Sequence, residues 1–218
     1  LTFRDEEELC QAAVAFSTQQ PIPRGRRVGL LTNTGGPAII VTDELVYRGL
    51  KIPHLSINSR SKLKKFLHPA ASINNPIDVL ATADAKQFKA VIDTLMEEKS
   101  IDSIIIIFVT PFFVDTESIA EEIAKANLLK RKPVLCNLIT DKCQWTETIQ
   151  ILNEGGVPVY SFPETAARAL VALNRYNDLQ NQEVRKPVFL KDVDKYNVEC
   201  ILASAKESGR ILLNSEEV

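Results

Sequence analysis

The stretch RVGLLTNTGGPAIIVTDEL, residues 27–45, decides the fold of this chain. It opens with a short apolar run at 28–31, passes through the turn residues 32–36, and continues from Pro37 with apolar residues at helical spacing. Proline suits the first turn of a helix, because its missing N–H would have no partner there. The stretch therefore predicts a strand, a tight glycine turn and a helix that starts at Pro37.

The start of this helix is a candidate binding site for an anion. Unpaired N–H groups and the positive end of the helix dipole converge there, which favours phosphate or another anion. A tight turn that binds nothing explains the same pattern, since α/β folds use such turns widely. The residues alone leave both interpretations open. The candidate phosphate-binding residues are Asn33, Thr34, Gly35, Gly36, Pro37 and Ala38.

The rest of the chain repeats the order of strand and helix. This alternation indicates a parallel sheet with helices on both faces, and the β-branched run DSIIIIFV predicts a strand buried on both sides. We predict an α/β fold: a five-stranded parallel, flavodoxin-like, three-layer α/β/α sandwich of strand order 2-1-3-4-5, with helical extensions at both ends. The predicted strands are 28–31, 52–55, 102–109, 133–138 and 157–160, and helices are expected at 5–17, 37–48, 61–67, 85–99, 116–129, 146–153, 163–176 and 193–207.

Changes in composition divide the chain into four segments. Residues 1–25 are expected to be an N-terminal helix and linker from a preceding domain, and 26–178 the flavodoxin-like domain. Residues 179–192 are polar and predict a linker. Residues 193–218 predict one helix and a short extended piece at 211–213, which cannot bury a core by themselves. We therefore expect the start of a further domain there, and a chain cut from a longer polypeptide.

Other polar residues are expected near the glycine turn. Ligands of open parallel sheets bind outside the carboxyl ends of the strands, at the point where the strand order reverses. Thr110 follows the apolar strand, and the loop NNPID supplies Asn75 and Asp78 as possible site-lining residues. Asp78 could instead brace its own loop by accepting backbone hydrogen bonds. An inert sheet edge would carry the same small polar residues.

The composition argues against several classes of function. A net charge of −2 over 218 residues does not suit a nucleic-acid surface. No apolar run approaches the roughly 20 residues that span a bilayer, and the acidic opening does not resemble a signal peptide. Four scattered cysteines and two histidines make a zinc site improbable and fit a reducing cytoplasm. No partnership with nucleic acid or membrane is expected.

The common catalytic motifs are missing as well. The chain has no Walker loop, no G-x-G-x-x-G, no G-x-S-x-G and no H-E-x-x-H. His54 and His68 fit ordinary structural or surface histidines. We therefore expect no catalytic residue and no metal site in this chain.

Five motifs in order suggest a family. They are T-N-T-G-G-P-A, A-S-I-N-N-P-I-D-V, I-I-I-F-V-T-P, K-P-V and G-G-V-P-V-Y-S-F-P-E-T-A-A-R-A-L. Together they resemble the NDP-forming acyl-CoA synthetases, relatives of succinyl-CoA synthetase. The resemblance runs from about Glu7 to Tyr176 and is to the second of two flavodoxin-like ligase domains. Residues 193–218 resemble the start of the ATP-grasp domain that follows in fused members.

This resemblance implies a reversible reaction in which acyl-CoA, ADP (or GDP) and phosphate give the acid, CoA and ATP (or GTP). A histidine in the other ligase domain would carry the phosphoryl group, and the helix at Pro37 would stabilise its charge. CoA, ADP or ATP, Mg²⁺ and phosphate would serve the whole enzyme, with no cofactor assigned to this segment. Its partners would be the CoA-binding, histidine-bearing and ATP-grasp domains, in a homo-oligomer.

Two other functions fit the same residues. Proteins resembling this family are fused to an acetyltransferase domain, where the ligase part would sense CoA or nucleotide. A flavodoxin-like interaction domain that has lost its site is the third interpretation.

Overall fold

Strand β1 (Val28–Thr32) lies inside the sheet of the computed structural model, which describes residues 1–141, 143–182 and 193–217. The strands described there pair in parallel, in the order β2-β1-β3-β4-β5. This confirms the predicted five-stranded parallel sheet and its order. The other strands are β2 (Ile77–Asp78), β3 (Ser103–Val109), β4 (Val134–Ile139) and β5 (Val159–Tyr160).

The second strand is formed by a different segment from the one predicted. Ile77 and Asp78 of the NNPID loop pair with Leu31 and Thr32 at the end of β1. Residues 52–55 form no strand, so that prediction is wrong.

The Asn75 side chain explains the difference. Its Oδ1 accepts a hydrogen bond from the Leu30 N–H at 2.8 Å, and its Nδ2 donates to the carbonyls of Val28 at 2.8 Å and Pro53 at 3.0 Å. A strand at 52–55 would need these same groups on the edge of β1, and Pro53 has no N–H to offer. A side chain therefore takes the place of a strand along this part of the edge.

A helix is found at each predicted segment, but two begin earlier than expected, and residues 64–67 of the predicted helix 61–67 are not helical. Helix α2 (Gly35–Tyr47) starts at Gly35, so that Pro37 lies within its first turn. Helix α3 (Ile57–Leu63) starts well before residue 61, because the Ser56 side chain caps it by accepting from the Ser59 N–H. The other helices are α1 (Glu6–Thr18), α4 (Ala85–Glu97), α5 (Thr116–Leu128), α6 (Thr146–Glu154), α7 (Pro163–Gln180) and α8 (Lys195–Glu207).

The isoleucines of β3 divide between two hydrophobic cores. Ile104 and Ile106 belong to the core beneath α4, α5 and α6, whereas Ile105 and Ile107 belong to the core beneath α2 and α7. All four side chains are fully buried. A central strand covered on both faces is what a continuous apolar run predicts in a parallel sheet. The three-layer α/β/α arrangement is confirmed.

The N-terminal helix α1 packs within the same compact unit, residues 1–182. Gln19, at its end, is 1% exposed, accepts from the Val134 N–H at 2.8 Å and donates to the Gly156 carbonyl at 3.0 Å. The Tyr160 hydroxyl donates to the Gln11 carbonyl of α1 at 3.0 Å. Residues 1–25 thus pack on the flavodoxin-like domain, and their assignment to a preceding domain stays a prediction.

Helix α8 lies in a second, C-terminal unit, residues 183–218. Helix α7 continues to Gln180, and residues 183–192 of the predicted linker 179–192 lie outside the described residues. Residues 211–213, expected to be extended, belong to no strand. Among the helices described, none combines the length and apolarity needed to cross a membrane.

Candidate functional site

The candidate site begins where β1 ends and α2 starts. The Thr32 hydroxyl accepts from the Thr34 N–H at 3.0 Å and donates to the Thr34 carbonyl at 2.6 Å, which closes the turn. Thr34 is the N-cap residue of α2, but its side chain makes no capping hydrogen bond. The first N–H groups of a helix have no acceptor inside the helix. Because the Thr34 side chain does not cap the helix, the N–H groups of Gly35 and Gly36 have no side-chain acceptor from the N-cap residue.

This helix end differs from most of the others in the described residues. Helices α1, α3, α4, α5 and α8 are each capped by a side chain, whereas α2, α6 and α7 are not. The three uncapped helices follow β1, β4 and β5, so their N-termini lie at the carboxyl edge of the sheet. The capping residues of the other five are Asp5, Ser56, Asp84, Asp115 and Asp194.

Both glycines of the turn are open to solvent. A Cβ added at Gly36 would meet no atom within 4 Å, and one at Gly35 would meet only Asp78 Oδ2, at 3.8 Å. Pro37 has no N–H, and Ala38 is 3% exposed and packs into the core. A ligand oxygen can thus approach the backbone of the two glycines without displacing a side chain.

Asn33 joins the ends of β1 and β3. It is 4% exposed. Its Nδ2 donates to the Val109 carbonyl at 2.8 Å, and the Val109 N–H donates to its Oδ1 at 2.9 Å. One N–H group and the oxygen of this amide are therefore used to hold the turn in place.

The Asp78 side chain lies beside the open helix end. Its Oδ1 accepts from the Leu80 N–H at 2.9 Å, which braces the loop after β2 as the sequence suggested. Its other oxygen, Oδ2, is directed towards Gly35. The structure therefore brings a carboxylate next to the candidate anion site.

The other two possible lining residues lie in different places. The Thr110 hydroxyl is 2.6 Å from the Thr140 hydroxyl, so it links the loops that follow β3 and β4. Asn75 lies along β1 between Val28 and Leu30, away from the carboxyl end. Thr110 is thus at the edge of the candidate site, and Asn75 is not brought to it.

An ion pair joins α2 to α7. Glu44 of α2 accepts from Arg48 Nε at 2.7 Å and from Arg168 Nε of α7 at 3.0 Å. Burial by itself raises the pKa of Glu44, but the hydrogen bonds from Arg168 and Arg48 outweigh it and leave the pKa below its ordinary value. The carboxylate therefore stays charged at neutral pH and links α2 to α7.

The candidate nucleophiles and metal ligands of the described residues lie away from the start of α2 or apart from one another. His54 is exposed, and His68 Nδ1 accepts from the Ala70 N–H at 3.1 Å. Cys136 is fully buried, and burial raises the pKa of its thiol to about 12. In the part of the chain that the structure describes, no three His, Cys, Asp or Glu side chains are placed so that they could hold a metal ion. These residues therefore offer Mg²⁺ no ligand set of their own.

An exposed aromatic pair at the same edge was missed by the sequence reasoning. Phe112 and Phe113, in the loop after β3, are 88% and 58% exposed and stack edge to face with ring centroids 5.3 Å apart. Two consecutive apolar residues after Thr110 and Pro111, outside any periodic pattern, were the available signal.

Comparison with known proteins gives one family match. The family model described as "Ligase-CoA domain" matches residues 28–181. Subunit alpha of the ADP-forming acetate–CoA ligase II of Pyrococcus furiosus is 32% identical over 177 residues, which are 77% of this chain and 37% of that protein. The ADP-forming 4-hydroxybutyrate–CoA ligase of Nitrosopumilus maritimus is 30% identical over 97% of this chain and 30% of that protein.

Solved structures agree with these relatives. An acetyl-coenzyme A synthetase of Candidatus Korarchaeum cryptofilum, solved with phosphate and ADP, is 25% identical with a TM-score of 0.74 over 85% of this chain and 41% of its own. A Pyrococcus horikoshii protein is 32% identical with a TM-score of 0.77 over 84% of this chain and 42% of its own. The chain thus spans about a third of the length of the curated relatives cited here.

Proposed function

Because the chain belongs to the family of ligase-CoA domains, we propose that it is the ligase domain without the histidine in an ADP-forming acyl-CoA synthetase. The whole enzyme would convert acyl-CoA, ADP and phosphate into the acid, CoA and ATP, and the reverse. A histidine of another ligase domain would carry the phosphoryl group. This proposal is supported by the relatives, which are named as ADP-forming CoA ligases.

The role proposed for this domain is electrostatic. The N–H groups at the start of α2, on Gly35, Gly36 and Ala38, would face the phosphate or the phosphohistidine, together with the positive end of the helix dipole. Pro37 contributes no N–H but suits the first turn. Positioning and charge stabilisation are most of what a phosphoryl transfer requires of a protein.

The observation that carries the proposal is the missing cap of α2. A helix N-terminus that serves only as structure is usually satisfied by a side chain, as five others are here. At α2 the Thr34 side chain makes no such bond, the first turn has no acidic residue, and both glycines are exposed. An anion brought by another domain would complete this end.

The neighbouring residues would position the site. Asn33 would hold the turn through Val109, Thr34 would fix its backbone through Thr32, and Thr110 and Asp78 would line its edge. The CoA-binding, histidine-bearing and ATP-grasp domains would supply CoA, the phosphoryl carrier and the nucleotide with Mg²⁺. The cysteine usage supports a reducing cytoplasmic location, and we expect a homo-oligomer.

Titration of the 218-residue chain with inorganic phosphate, followed by amide chemical shifts in NMR spectra, tests the site. We expect the signals of Gly35, Gly36 and Ala38 to move, with sodium chloride at the same ionic strength as the blank. The first-turn amides of α5, which Asp115 already caps, serve as an internal control and should not move. Equal shifts at both helices, or none at α2, would contradict the proposal.

The activity of the chain alone gives a second test. We expect no acyl-CoA-dependent ATP formation by the 218-residue chain, because the phosphoryl-carrying histidine and the nucleotide domain would be elsewhere. Measurable turnover by this chain would overturn the assignment.

A further inference from the structure

A groove runs between α1 and the turn from β5 to α7, at one edge of the sheet. Its larger part has a volume of about 420 Å³, and a second hollow of about 260 Å³ shares four of its lining residues. The floor and walls of the larger part are mainly apolar, with Cys10, Val14, Val159 and Phe162 among the lining residues. Phe162 is 61% exposed.

The rim of this groove is acidic. Asp5, Glu7, Glu8 and Glu164 line it together with Arg168, and Arg48 lies 3.9 Å from the Glu8 carboxylate. Both arginines also pair with Glu44 of α2, so two positive charges are shared among five carboxylates and the rim stays net negative. An apolar floor with an acidic rim fits an apolar side chain flanked by basic residues.

Such a surface exists on the opposite side of the same domain. Residues 57–68, INSRSKLKKFLH, contain four basic residues and no acidic one; they are called the basic strip below. Lys64 and Lys65 are exposed, and no ion pair in the described part of the chain includes either of them. Phe66 follows directly and is 56% exposed.

The two surfaces lie towards opposite edges of the sheet. Helix α3, which begins the basic strip, packs beside α4 on the β2 side of the sheet, whereas α1 packs beside α7 on the β5 side. One molecule therefore cannot close the groove with its own strip, but a neighbouring molecule can.

We propose that this chain associates with itself head to tail, with Phe66 of one copy seated in the groove between α1 and α7 of the next. Lys64 and Lys65 then face Glu7 and Glu164 across the rim. The aromatic side chain is the buried anchor of the contact, and the charges set its orientation. The contact joins two different patches, so it extends into a ring or an open chain of copies and not a symmetric pair. This inference does not depend on the proposed ligase function.

Sedimentation velocity of the 218-residue chain tests this contact in reducing buffer, which keeps the exposed Cys10 thiol from linking copies. At about 20 mM NaCl the mean mass should rise with protein concentration, and at about 500 mM it should stay near that of a monomer. Phe66→Ala should weaken association at least about tenfold, as expected for an aromatic anchor. Phe112→Ala, which removes an exposed aromatic ring elsewhere, is the matched control and should associate like the wild type.

Charge reversal identifies the two surfaces. Glu7→Lys with Glu164→Lys, and separately Lys64→Glu with Lys65→Glu, should each give monomers with unchanged circular dichroism. An equimolar mixture of the two double variants should associate again, because each now offers the other a complementary surface. A wild type that is monomeric at low salt at every concentration would overturn the proposal. So would association that persists in Phe66→Ala, or a mixture that stays monomeric.

Discussion

The side chain of Asn33 and the backbone of Val109 are joined by two hydrogen bonds of 2.8 and 2.9 Å, one in each direction. They hold together the ends of β1 and β3, the neighbouring strands between which the strand order reverses. The loop that carries Gly35 and Gly36 starts from one partner, and the loop that carries Phe112 and Phe113 starts from the other. The geometry of the candidate site therefore depends on this pair.

Replacing Asn33 by alanine should destabilise the domain by about 2 kcal/mol, because it leaves the N–H and the carbonyl of Val109 without these partners. Urea unfolding measures the change. Asn153→Ala is the matched control, since that side chain is exposed, and we expect it to be nearly neutral. A loss no larger than in the control would show that the pair does not stabilise the edge.

Replacing Gly36 by alanine should raise the unfolding free energy of the domain and weaken the binding of phosphate. A Cβ there meets nothing within 4 Å, and alanine favours the helix, so we expect a gain of about 0.5–1 kcal/mol in unfolding free energy. The same methyl group would stand against a bound phosphate and weaken its binding. Gly49→Ala is the contrasting control, because its φ of +86° makes the substitution unfavourable.

The bulkier Gly36→Val extends this test to the longer enzyme that the proposed function requires. We expect phosphoryl transfer to fall more than CoA affinity, because the side chain blocks only the phosphate. Equal losses in both quantities would count against the assignment.

Replacing Asp78 by asparagine should strengthen anion binding at α2. The variant keeps an oxygen for the Leu80 N–H but removes a negative charge directed towards Gly35. The gain should be larger for sulfate than for phosphate, because phosphate at neutral pH still has a proton to donate to the carboxylate and sulfate has none. NMR titrations with each anion measure both affinities.

Asp43→Asn is the control for this effect, since it removes one charge from an exposed position later in α2. We expect it to change the two affinities little and by the same factor. If Asp78→Asn behaves in the same way, the Asp78 carboxylate does not face the bound anion.

Protonation of the Glu98 carboxylate should lower the stability of the domain in acid. Burial by itself raises the pKa of this carboxyl group, but hydrogen bonds from Ser59 and Ser56 lower it to about 2. The unfolded chain then binds more protons than the folded one between about pH 4.5 and pH 2. The stabilisation is complete above this window and is lost as the pH falls through it, by about 3 kcal/mol in all.

Urea unfolding at several pH values measures this loss. Glu98→Gln should remove most of the slope within the window. Glu97→Gln, at an exposed neighbouring position, is the control and should keep most of it. Equal slopes in the two variants would show that Glu98 is not the group responsible.

Helix α1 should prove necessary for the stability of the sheet. Gln19→Ala leaves the N–H of Val134 and the carbonyl of Gly156 without their partner, and we expect a loss of about 2 kcal/mol. Gln20→Ala is the control at the exposed neighbouring residue. A neutral Gln19→Ala would indicate that α1 is only loosely attached, as a helix from a preceding domain could be.

The sequence by itself determined the alternation of strands and helices and the position of the glycine turn, and the strand order followed from the usual order of a five-stranded parallel sheet of this type. These features depend on local patterns: the apolar run of β3, the helical spacing after Pro37, and glycine and proline between elements. Each pattern lies within one segment, so it can be recognised without knowing how the rest of the chain folds.

Only the tertiary structure decided which segment became the edge strand and what the polar side chains bind. Asn33 meets Val109 across 76 residues, and Asn75 meets Leu30 across 45. No local pattern records such pairings, because they depend on backbone groups that another segment leaves unpaired. For the same reason a sequence that places Gly35 and Gly36 in a turn cannot show whether Thr34 caps the helix. That is settled by the Thr34 side chain, which makes no capping bond, and so α2 has an open N-terminus.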